Sequence, residues 1–351
     1  MASEPAKIRP GKNARSISVV TPTYYRRDEI DQLLDSLSGQ TVRPLELIIV
    51  DGAPVSEQAT ERLVASRSSA LPFRCRYIRQ SGGTAIQRNA GIDIAQGDFV
   101  SFIDDDISLE PDFFEQILLA YELDKDQRVG GIAGYITNQH LDPNKSPRWR
   151  WYRRLHLFTT YEPGRYDYRT GYPINRYLQP PHAGIRTIDF MGSNCAVWRR
   201  EVFASGLRFS PFFSDYGVLE DAHLALRAGR DWTLWECGLA RCVHHRSPKG
   251  RVSKRRLAWK TAVNYRYVFV DIVPQRNWKQ ELRFWSVQAV DLLRLCAHAF
   301  RSREKGDWPA VLGKVEGILA AMRLKKAGPA VPIGSTSADS APVSEGTICS
   351  S

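Results

Sequence analysis

The sequence has few cysteines, and the six that occur among its 351 residues are scattered, with no Cys-x-x-Cys pair. A secreted disulfide scaffold and a cysteine-ligated zinc site are therefore not expected. The first 15 residues also lack an apolar run and carry four basic residues instead. Because a secretory signal peptide needs such a run, we predict a cytoplasmic protein with a disordered N-terminus over residues 1–15.

Acidic residues are also in short supply. The chain has 38 Asp and Glu against 49 Lys and Arg, which gives a net charge of +11. This excess favours anionic partners, namely nucleic acid, phosphorylated small molecules or an acidic membrane surface, without choosing among them. Hydrophobic residues make up 43% of the chain, a fraction that excludes wholesale disorder.

The first 130 residues alternate short apolar runs with amphipathic stretches, a pattern typical of a mostly parallel sheet with crossover helices. Strands are predicted at 17–21, 45–50, 75–78, 99–103 and 129–136, and helices at 28–37, 57–65, 84–95 and 111–121. Residues 140–187 show no clear period and predict long surface loops.

Beyond residue 187 the regular patterns return. Ordered structure is predicted at 188–197, short strands at 232–235 and 239–243, and helices at 200–204, 220–228 and from 253 to about 326. The last stretch, 327–351, is rich in Ser, Ala, Pro and Gly and predicts a disordered tail.

Three consecutive carboxylates, Asp104, Asp105 and Asp106, follow the predicted strand at 99–103. They repel one another, and a divalent cation such as Mg²⁺ or Mn²⁺ would neutralise them while sharing oxygen ligands with a diphosphate. The strand end is also where open α/β sheets place ligands. The alternative is a solvated acidic turn that precedes a helix.

Two other strand ends should face the same crevice. Asp51 ends the second strand and could accept a hydrogen bond from a base, although Asp before Gly is also common in a type I turn. Pro22, Thr23 and Tyr24 end the first strand, and the tyrosine ring could stack on a base. Gly82 and Gly83 precede a helix N-terminus, which favours phosphate or merely forms a loop.

The pair Glu220 and Asp221 opens a predicted helix. Acidic residues are favoured in a first helical turn by the helix dipole, and one of them could instead be a general base that takes a proton from a hydroxyl. His244 and His245 follow a predicted strand and could add a nitrogen ligand to a metal, or could be structural.

Together these motifs resemble the inverting glycosyltransferases of family 2. The motifs that carry the resemblance are, in chain order, Pro22-Thr23-Tyr24, Asp51, Arg88-Asn89-Ala90-Gly91, Asp104-Asp105-Asp106, Gly192-Ser193-Asn194, Glu220-Asp221 and His244. The resemblance covers residues 17–245, and its most specific part is the Asp run followed downstream by Glu220-Asp221.

The resemblance implies a GT-A fold, a Rossmann-like and mostly parallel α/β sheet flanked by helices, with a C-terminal helical extension. The predicted catalytic domain spans 16–248, and its halves, 16–136 and 137–248, bind the nucleotide-sugar and the acceptor. A basic helical extension follows over 249–326.

The resemblance also implies roles for single residues. Asp51 and Tyr24 would hold the nucleotide base, and Asp105 would contact the ribose. Asp106, with Asp104, would bind a diphosphate-bridging Mn²⁺ or Mg²⁺. Asp221 would be the catalytic base of a single, inverting displacement. Further residues expected at the nucleotide-sugar are Pro22, Thr23, Gly83 and Arg88, those expected at the acceptor are Gly192, Ser193, Asn194 and Glu220, and His244 or His245 would complete the metal site.

The expected donor is a nucleotide-diphosphate sugar, with UDP as the nucleotide, and the expected acceptor is a glycan or a lipid-linked molecule of surface polysaccharide or glycoconjugate synthesis. The chain has no Gln-x-x-Arg-Trp motif after Glu220-Asp221, which argues against a processive membrane synthase. The nearest alternative enzyme is a sugar-phosphate nucleotidyltransferase. Such an enzyme would show a Gly-rich signature with a basic residue directly after the first strand, and this sequence does not have one there. Arg148-Trp149-Arg150-Trp151 supports a nucleic-acid binder, but three unneutralised Asp residues would repel phosphate.

The basic C-terminal segment combines cations with a stripe of aromatic residues. The aromatic residues are Trp259, Tyr265, Tyr267, Phe269, Trp278, Phe284 and Trp285. One interpretation is a set of helices packed on the catalytic domain. The other is an interfacial segment in peripheral contact with the cytoplasmic membrane face.

Overall fold

The computed structural model describes residues 15–249, 252–301 and 307–324. The predicted disorder at the N-terminus and in the tail at 327–351 falls outside these residues, apart from Arg15. The described strands are β1 (Ile17–Thr23), β2 (Glu46–Asp51), β3 (Arg74–Arg79), β4 (Phe99–Ile103), β5 (Ile107–Leu109), β6 (Val129–Ile136), β7 (Tyr166–Asp167), β8 (Tyr172–Pro173), β9 (Ile185–Ile188), β10 (Cys195–Arg199) and β11 (Thr233–His244). The described helices are α1 (Arg27–Ser38), α2 (Ala59–Arg67), α3 (Thr84–Ile94), α4 (Phe113–Glu122), α5 (Pro147–Arg154), α6 (Glu201–Ala204), α7 (Glu220–Ala228), α8 (Lys254–Ile272), α9 (Trp278–Arg301) and α10 (Asp307–Met322).

The central sheet has the order β3-β2-β1-β4-β10-β6-β11-β5, with β9 paired to β11. Strands β1 to β4 pair in parallel, while β10 runs antiparallel between β4 and β6. Strands β1, β2 and β4 are buried along their whole length because helices cover both of their faces, whereas the edge strand β3 is only partly buried. The GT-A architecture that was predicted is confirmed, with a sheet that is parallel in its first half and mixed in its second.

Side chains alternate between the two faces of the sheet and build two hydrophobic layers. On β1, Val19 packs with α1, α2 and α4, whereas Val20 packs with α3, α7 and α8. The α1 side chains Ile30, Leu33 and Leu37 are fully buried at helical spacing, as the sequence pattern predicts. The crevice at the ends of the parallel strands therefore lies on a rigid, packed base.

The segment 140–187 is more ordered than the sequence prediction of long surface loops. It contains α5 and the β7-β8 hairpin, and it builds its own core from Trp149, Tyr152, Phe158 and Tyr172. Val287 from α9 completes this core. Elements this short leave no clear period in the sequence, and one member of their core, Val287, lies more than a hundred positions further along the chain.

Three local predictions are corrected by the structure. The strands predicted at 232–235 and 239–243 form one strand, β11, with an irregularity between Glu236 and Arg241. Pro22 does not end β1. The pairing of β1 with β4 stops at Val20, so the N–H group that Pro22 lacks is not needed for a hydrogen bond to β4. Helix α4 begins at Phe113, after Pro111, and the short strand β5 precedes it.

The C-terminal helical extension is confirmed, and α10 packs closely along α8. A Cβ atom on Gly313 would lie 2.0 Å from the carbonyl oxygen of Arg255, and one on Gly317 would lie 2.7 Å from that of Trp259. Only glycine permits this approach of two helices. None of the helices within the described ranges is long and apolar enough to cross a membrane.

The predicted aromatic stripe of the extension does not form one exposed face. Tyr267, Phe269 and Phe284 are buried, and the ring of Phe269 stacks on that of Phe284 with centroids 5.1 Å apart. Of the seven aromatic residues only Trp278 is exposed. Helical spacing places residues on a common face, but packing decides whether that face meets the core.

Candidate active site

The carboxyl ends of β1, β2 and β4 meet at one edge of the sheet, as the parallel pattern predicts. Thr23 lies beside Asp51 in the register of β1 and β2. The Thr23 hydroxyl also donates a 2.8 Å hydrogen bond to Oδ2 of Asp105, just after β4. These strand ends therefore bring the predicted donor residues of the N-terminal half into one crevice.

Asp105 is buried against a cation that the sequence analysis did not identify. Nη1 of Arg26 lies 2.6 Å from Oδ1 of Asp105 and 3.6 Å from Oδ2 of Asp106. Burial raises the pKa of Asp105 to about 7, against the opposing effects of Arg26 and Thr23. The signal for Arg26 was charge balance, since three adjacent carboxylates need a nearby cation.

Asp106 faces the end of β11. Its Oδ1 atom lies 3.1 Å from Nε2 of His244, and its Oδ2 atom accepts a 2.9 Å hydrogen bond from the backbone N–H of Ser247. Burial would raise the pKa of Asp106, but His244, Arg26 and Ser247 outweigh it and hold that pKa below its ordinary value. The imidazole pKa of His244 is raised, because its bond to Asp106 outweighs burial.

The two histidines have different surroundings. His244 faces Asp106 through Nε2, and the side-chain amide of Gln139 contacts its Nδ1 atom. His245 instead contacts the hydroxyl of Ser108 at 2.7 Å. Of the two candidate ligands, His244 is the one beside the Asp run.

The pair of Asp106 and His244 fits a divalent metal. A separation of 3.1 Å matches the edge of an octahedron whose ligands stand roughly 2.1 Å from the ion. Within the described ranges no cluster of three or more His, Cys, Asp or Glu could hold a metal alone. Mg²⁺ is commonly bound by one or two carboxylates together with substrate phosphates and water, so a site with fewer than three such protein ligands is compatible with this ion.

Arg88 joins the Asp run to the helix that carries the predicted base. The side chain is buried on α3, with Nη2 2.8 Å from Oδ1 of Asp104 and Nη1 3.0 Å from Oε1 of Glu220. Burial raises the pKa of Asp104 despite the neighbouring guanidinium. One cation therefore links both carboxylate groups of the crevice.

Asp221 lies in the first turn of α7, beside the loop at 192–194. The residue before the helix, Leu219, has a φ of +69°, a strained conformation that persists only where packing enforces it. Oδ2 of Asp221 accepts a long hydrogen bond of 3.3 Å from the backbone N–H of Ser193. Burial and the neighbouring Glu220 raise the pKa of Asp221 to about 7, against the lowering effect of Arg88.

The predicted acceptor loop lies against Asp221. A Cβ atom on Gly192 would come within 2.9 Å of Oδ1 of Asn194 and 3.3 Å of Oδ2 of Asp221. The amide of Asn194 donates to the hydroxyl of Tyr177 at 3.2 Å, a contact that sequence reasoning missed. Gly192, Ser193, Asn194 and Glu220 are thus brought together around the predicted base.

The two residues predicted to hold the nucleotide base, Asp51 and Tyr24, differ in their contacts and accessibility. Asp51 is buried, and its two oxygens accept hydrogen bonds from the Tyr77 hydroxyl at 2.9 Å and the Ala53 N–H at 2.8 Å. Tyr24 is half exposed, and the space above Gly52 leaves room for its ring. Tyr24 thus offers an accessible ring, whereas Asp51 is already hydrogen-bonded within the protein.

Gly83 has a φ of +88°, and its close backbone approach is to Asp215 of this chain. A Cβ atom there would lie 1.9 Å from the Asp215 carbonyl oxygen, so no other residue fits. The backbone of the glycine pair at the start of α3 therefore packs directly against the loop that leads to α7.

This fold is that of the GT-A class of glycosyltransferases. The structure resembles the mannosyltransferase PcManGT from Pyrobaculum calidifontis, solved with GDP-Man and Mn²⁺, with a TM-score of 0.52 at 15% identity over 91% of this chain and 90% of that one. It also resembles GalNAc-T7, solved with UDP, GalNAc and Mn²⁺, with a TM-score of 0.55 at 14% identity over 78% of this chain and 50% of that one.

Residues 18–203 match the sequence model of glycosyl transferase family 2, and the chain belongs to this family. It is 30% identical over 160 residues to the uncharacterized glycosyltransferase YwdF of Bacillus subtilis, a match over 44% of this chain and 58% of that protein. It is 28% identical over 168 residues to the succinoglycan biosynthesis protein ExoM of Rhizobium meliloti, over 46% and 51% of the two chains.

A third relative is the amylovoran biosynthesis glycosyltransferase AmsB of Erwinia amylovora, with 35% identity over 30% of this chain and 36% of that protein. The matches to these relatives span between about a third and three fifths of their lengths. The family relationship is therefore established for residues 18–203.

Proposed function

We propose that the protein transfers a sugar from a nucleotide-diphosphate sugar to a hydroxyl group of a glycan or lipid-linked acceptor, with inversion at the anomeric carbon. The observation that supports this most strongly is the separation of two carboxylate groups across Arg88. On one side lie the metal-type residues Asp106 and His244, and on the other lies Asp221, whose pKa is about 7.

The donor side binds the nucleotide-sugar. Asp106, His244 and Asp104 would hold Mn²⁺ or Mg²⁺, which when bound neutralises the charge of the departing diphosphate. Tyr24 offers a ring for the nucleotide base, and Asp105 would contact the ribose. Pro22, Thr23, Asp51, Gly83 and Arg88 shape the surrounding crevice.

The acceptor side supplies the general base of the reaction. Asp221 takes the proton of the acceptor hydroxyl while that oxygen forms a bond to the anomeric carbon, and the bond from that carbon to the diphosphate oxygen breaks. The attack comes from the face opposite to the leaving group, so one displacement inverts the centre. A carboxylate with a pKa near neutral combines a large ionised fraction with useful basicity.

The named relatives favour a role in polysaccharide synthesis, since ExoM and AmsB carry succinoglycan and amylovoran biosynthesis in their names. The resemblance favours UDP as the nucleotide and the cytoplasmic side as the location. The donor half is assigned to 16–136, the acceptor half to 137–248 and the helical extension to 249–326. Family membership favours sugar transfer over nucleotidyl transfer and over nucleic-acid binding.

A panel of nucleotide-sugars tests this proposal. Each is incubated with the full chain and Mn²⁺, and the released nucleoside diphosphate is measured with and without EDTA. We expect release from one nucleotide class, loss of that release with EDTA, and a product of opposite anomeric configuration by NMR. Release with retention of configuration would contradict the proposed single displacement.

A further inference from the structure

Helix α9 exposes an apolar stripe on the face turned away from the protein. The stripe consists of Trp278, Leu282, Trp285, Ala289, Leu293, Cys296 and Phe300, spaced three or four residues apart over about six turns, with Trp285 and Cys296 half-buried. Leu293 is 63% exposed and Phe300 is 76% exposed. The buried face of the same helix is different and is formed by Phe284, Val287, Gln288, Asp291 and Ala299. The helix thus has two faces that avoid water, and only one of them is covered.

Helix α10 has a second exposed stripe. It is formed by Trp308, Leu312, Val315, Leu319 and Met322, opposite a buried face that includes Val311, Lys314 and Ala321. The rings of Phe300 and Trp308 contact edge to face with centroids 4.9 Å apart. The stripes therefore meet where the helices meet, and together they form what we call the α9–α10 face.

The C-terminal segment that contains this face carries the positive charge of the protein, although α9 and α10 themselves hold only five Lys and Arg against four Asp and Glu. Residues 249–326 contain 18 of the 49 Lys and Arg but only six of the 38 Asp and Glu, so the remaining chain is almost neutral. Lys279, Arg283, Arg301 and Arg323 are exposed and form no ion pair with any acidic side chain in the described ranges. On a helical projection, Lys279, Arg283 and Arg301 border one edge of the α9 stripe.

We infer that the α9–α10 face docks on an anionic lipid surface, with both helices lying in the plane of the membrane. Exposed apolar stripes bordered by cations fit the boundary between acyl chains and headgroups. Neither helix can cross the membrane. A second copy of the chain is a poorer occupant, because a twofold dimer would bring the same cationic borders together without acidic partners.

Vesicle co-sedimentation of the full chain tests this inference. We expect binding to vesicles of phosphatidylcholine mixed with phosphatidylglycerol, and little binding to vesicles of phosphatidylcholine alone. Binding should weaken several-fold as salt rises to about 1 M, where the Debye length falls to about 3 Å. Equal recovery in the supernatant with and without the anionic vesicles at low salt would overturn the inference.

Substitutions separate the apolar from the cationic contribution. Leu293→Gln combined with Leu319→Gln should weaken binding by about tenfold or more, because both side chains would leave the acyl boundary. The matched control is Leu119→Gln on α4 with Leu123→Gln just after it, where Leu119 is 48% and Leu123 is 64% exposed. Arg283→Gln combined with Arg301→Gln should weaken vesicle binding by about fivefold for each cation removed. The matched control, Arg43→Gln with Lys125→Gln, should leave vesicle binding nearly unchanged.

The same variants exclude the competing occupant. Because all four leucines are exposed, thermal melting should be nearly unchanged, and a circular dichroism melt verifies that the variants fold. If the wild type is a dimer in sedimentation velocity and Leu293→Gln with Leu319→Gln makes it a monomer, the face is an interface between copies and the inference is wrong. A control pair that loses vesicle binding equally would also overturn it.

Discussion

The two ends of the crevice contain the same kind of side chain but treat it in opposite ways. At the donor end, His244, Arg26 and the Ser247 N–H hold the pKa of Asp106 below its ordinary value. At the acceptor end, burial and Glu220 raise the pKa of Asp221 to about 7, against the lowering effects of Arg88 and of the backbone N–H groups of Ala222 and Ser193. The partners of Asp106 outweigh its burial, whereas burial outweighs the partners of Asp221 and also those of Asp105.

This difference corresponds to two tasks. A carboxylate that binds a metal must stay charged, while one that accepts a proton works best with a pKa near the operating pH. Arg88 contacts Asp104 on one side and Glu220 on the other, and so it holds the two sites at a fixed spacing.

The largest effect is expected from removing the proposed proton acceptor, Asp221. Asp221→Asn keeps the shape but cannot take a proton, and it should lower kcat by about 10² or more. Donor affinity should change by less than about twofold, because the donor end is intact. Steady-state kinetics with Glu201→Gln, an exposed acid in the first turn of α6, provide the control. Near wild-type turnover would move the assignment to Glu220.

A buried carboxylate outside the crevice sharpens the comparison. Glu236 is surrounded by Arg176, Arg186 and His182 at 2.7–3.1 Å, and despite burial its pKa falls to about 2. Because the folded pKa is depressed, its contribution to stability is complete above about pH 4.5 and is lost as pH falls towards 2. Glu236→Gln should therefore cost about 3 kcal/mol at pH 7 in urea unfolding.

The control for Glu236 is Glu162→Gln, since Glu162 is 57% exposed and paired with Arg165. That exposed pair should contribute less than about 1 kcal/mol. Equal losses for the two substitutions would mean that the buried cluster contributes no special stability.

The pH dependence of turnover tests the acceptor end without a substitution. With saturating donor, kcat should fall by about tenfold per pH unit below pH 7, because protonated Asp221 cannot accept the acceptor's proton. Saturation removes the pH dependence of donor binding from the measurement. A level kcat from about pH 8 to pH 5.5 would contradict the base assignment.

The sequence predicts the donor edge well because the geometry of parallel strands is regular. Thr23, Asp51 and Asp104 follow strands, and the carboxyl ends of parallel strands share one edge. The position of Arg26 could not be predicted, since a long side chain from a loop can turn either way. The aromatic core at 141–178 could not be predicted either, because it depends on Val287 far along the chain.

Helix α9 is a second case in which the sequence pattern does not determine the packing. Its sequence contains two water-avoiding faces, and spacing alone does not say which one meets the core. The prediction placed Phe284 and Trp285 on one functional stripe, whereas packing buries Phe284 and leaves Leu282 and Leu293 outside.

The most direct test of the two-ended crevice is a calorimetric titration of UDP or GDP with Mn²⁺ into Asp106→Asn and Asp221→Asn. We predict that Asp106→Asn loses affinity by about tenfold or more, to the level that the wild type shows with EDTA. Asp221→Asn should retain wild-type affinity and the same dependence on Mn²⁺. Equal affinity losses in both variants, or a loss confined to Asp221→Asn, would contradict the division of the crevice into a donor end and an acceptor end.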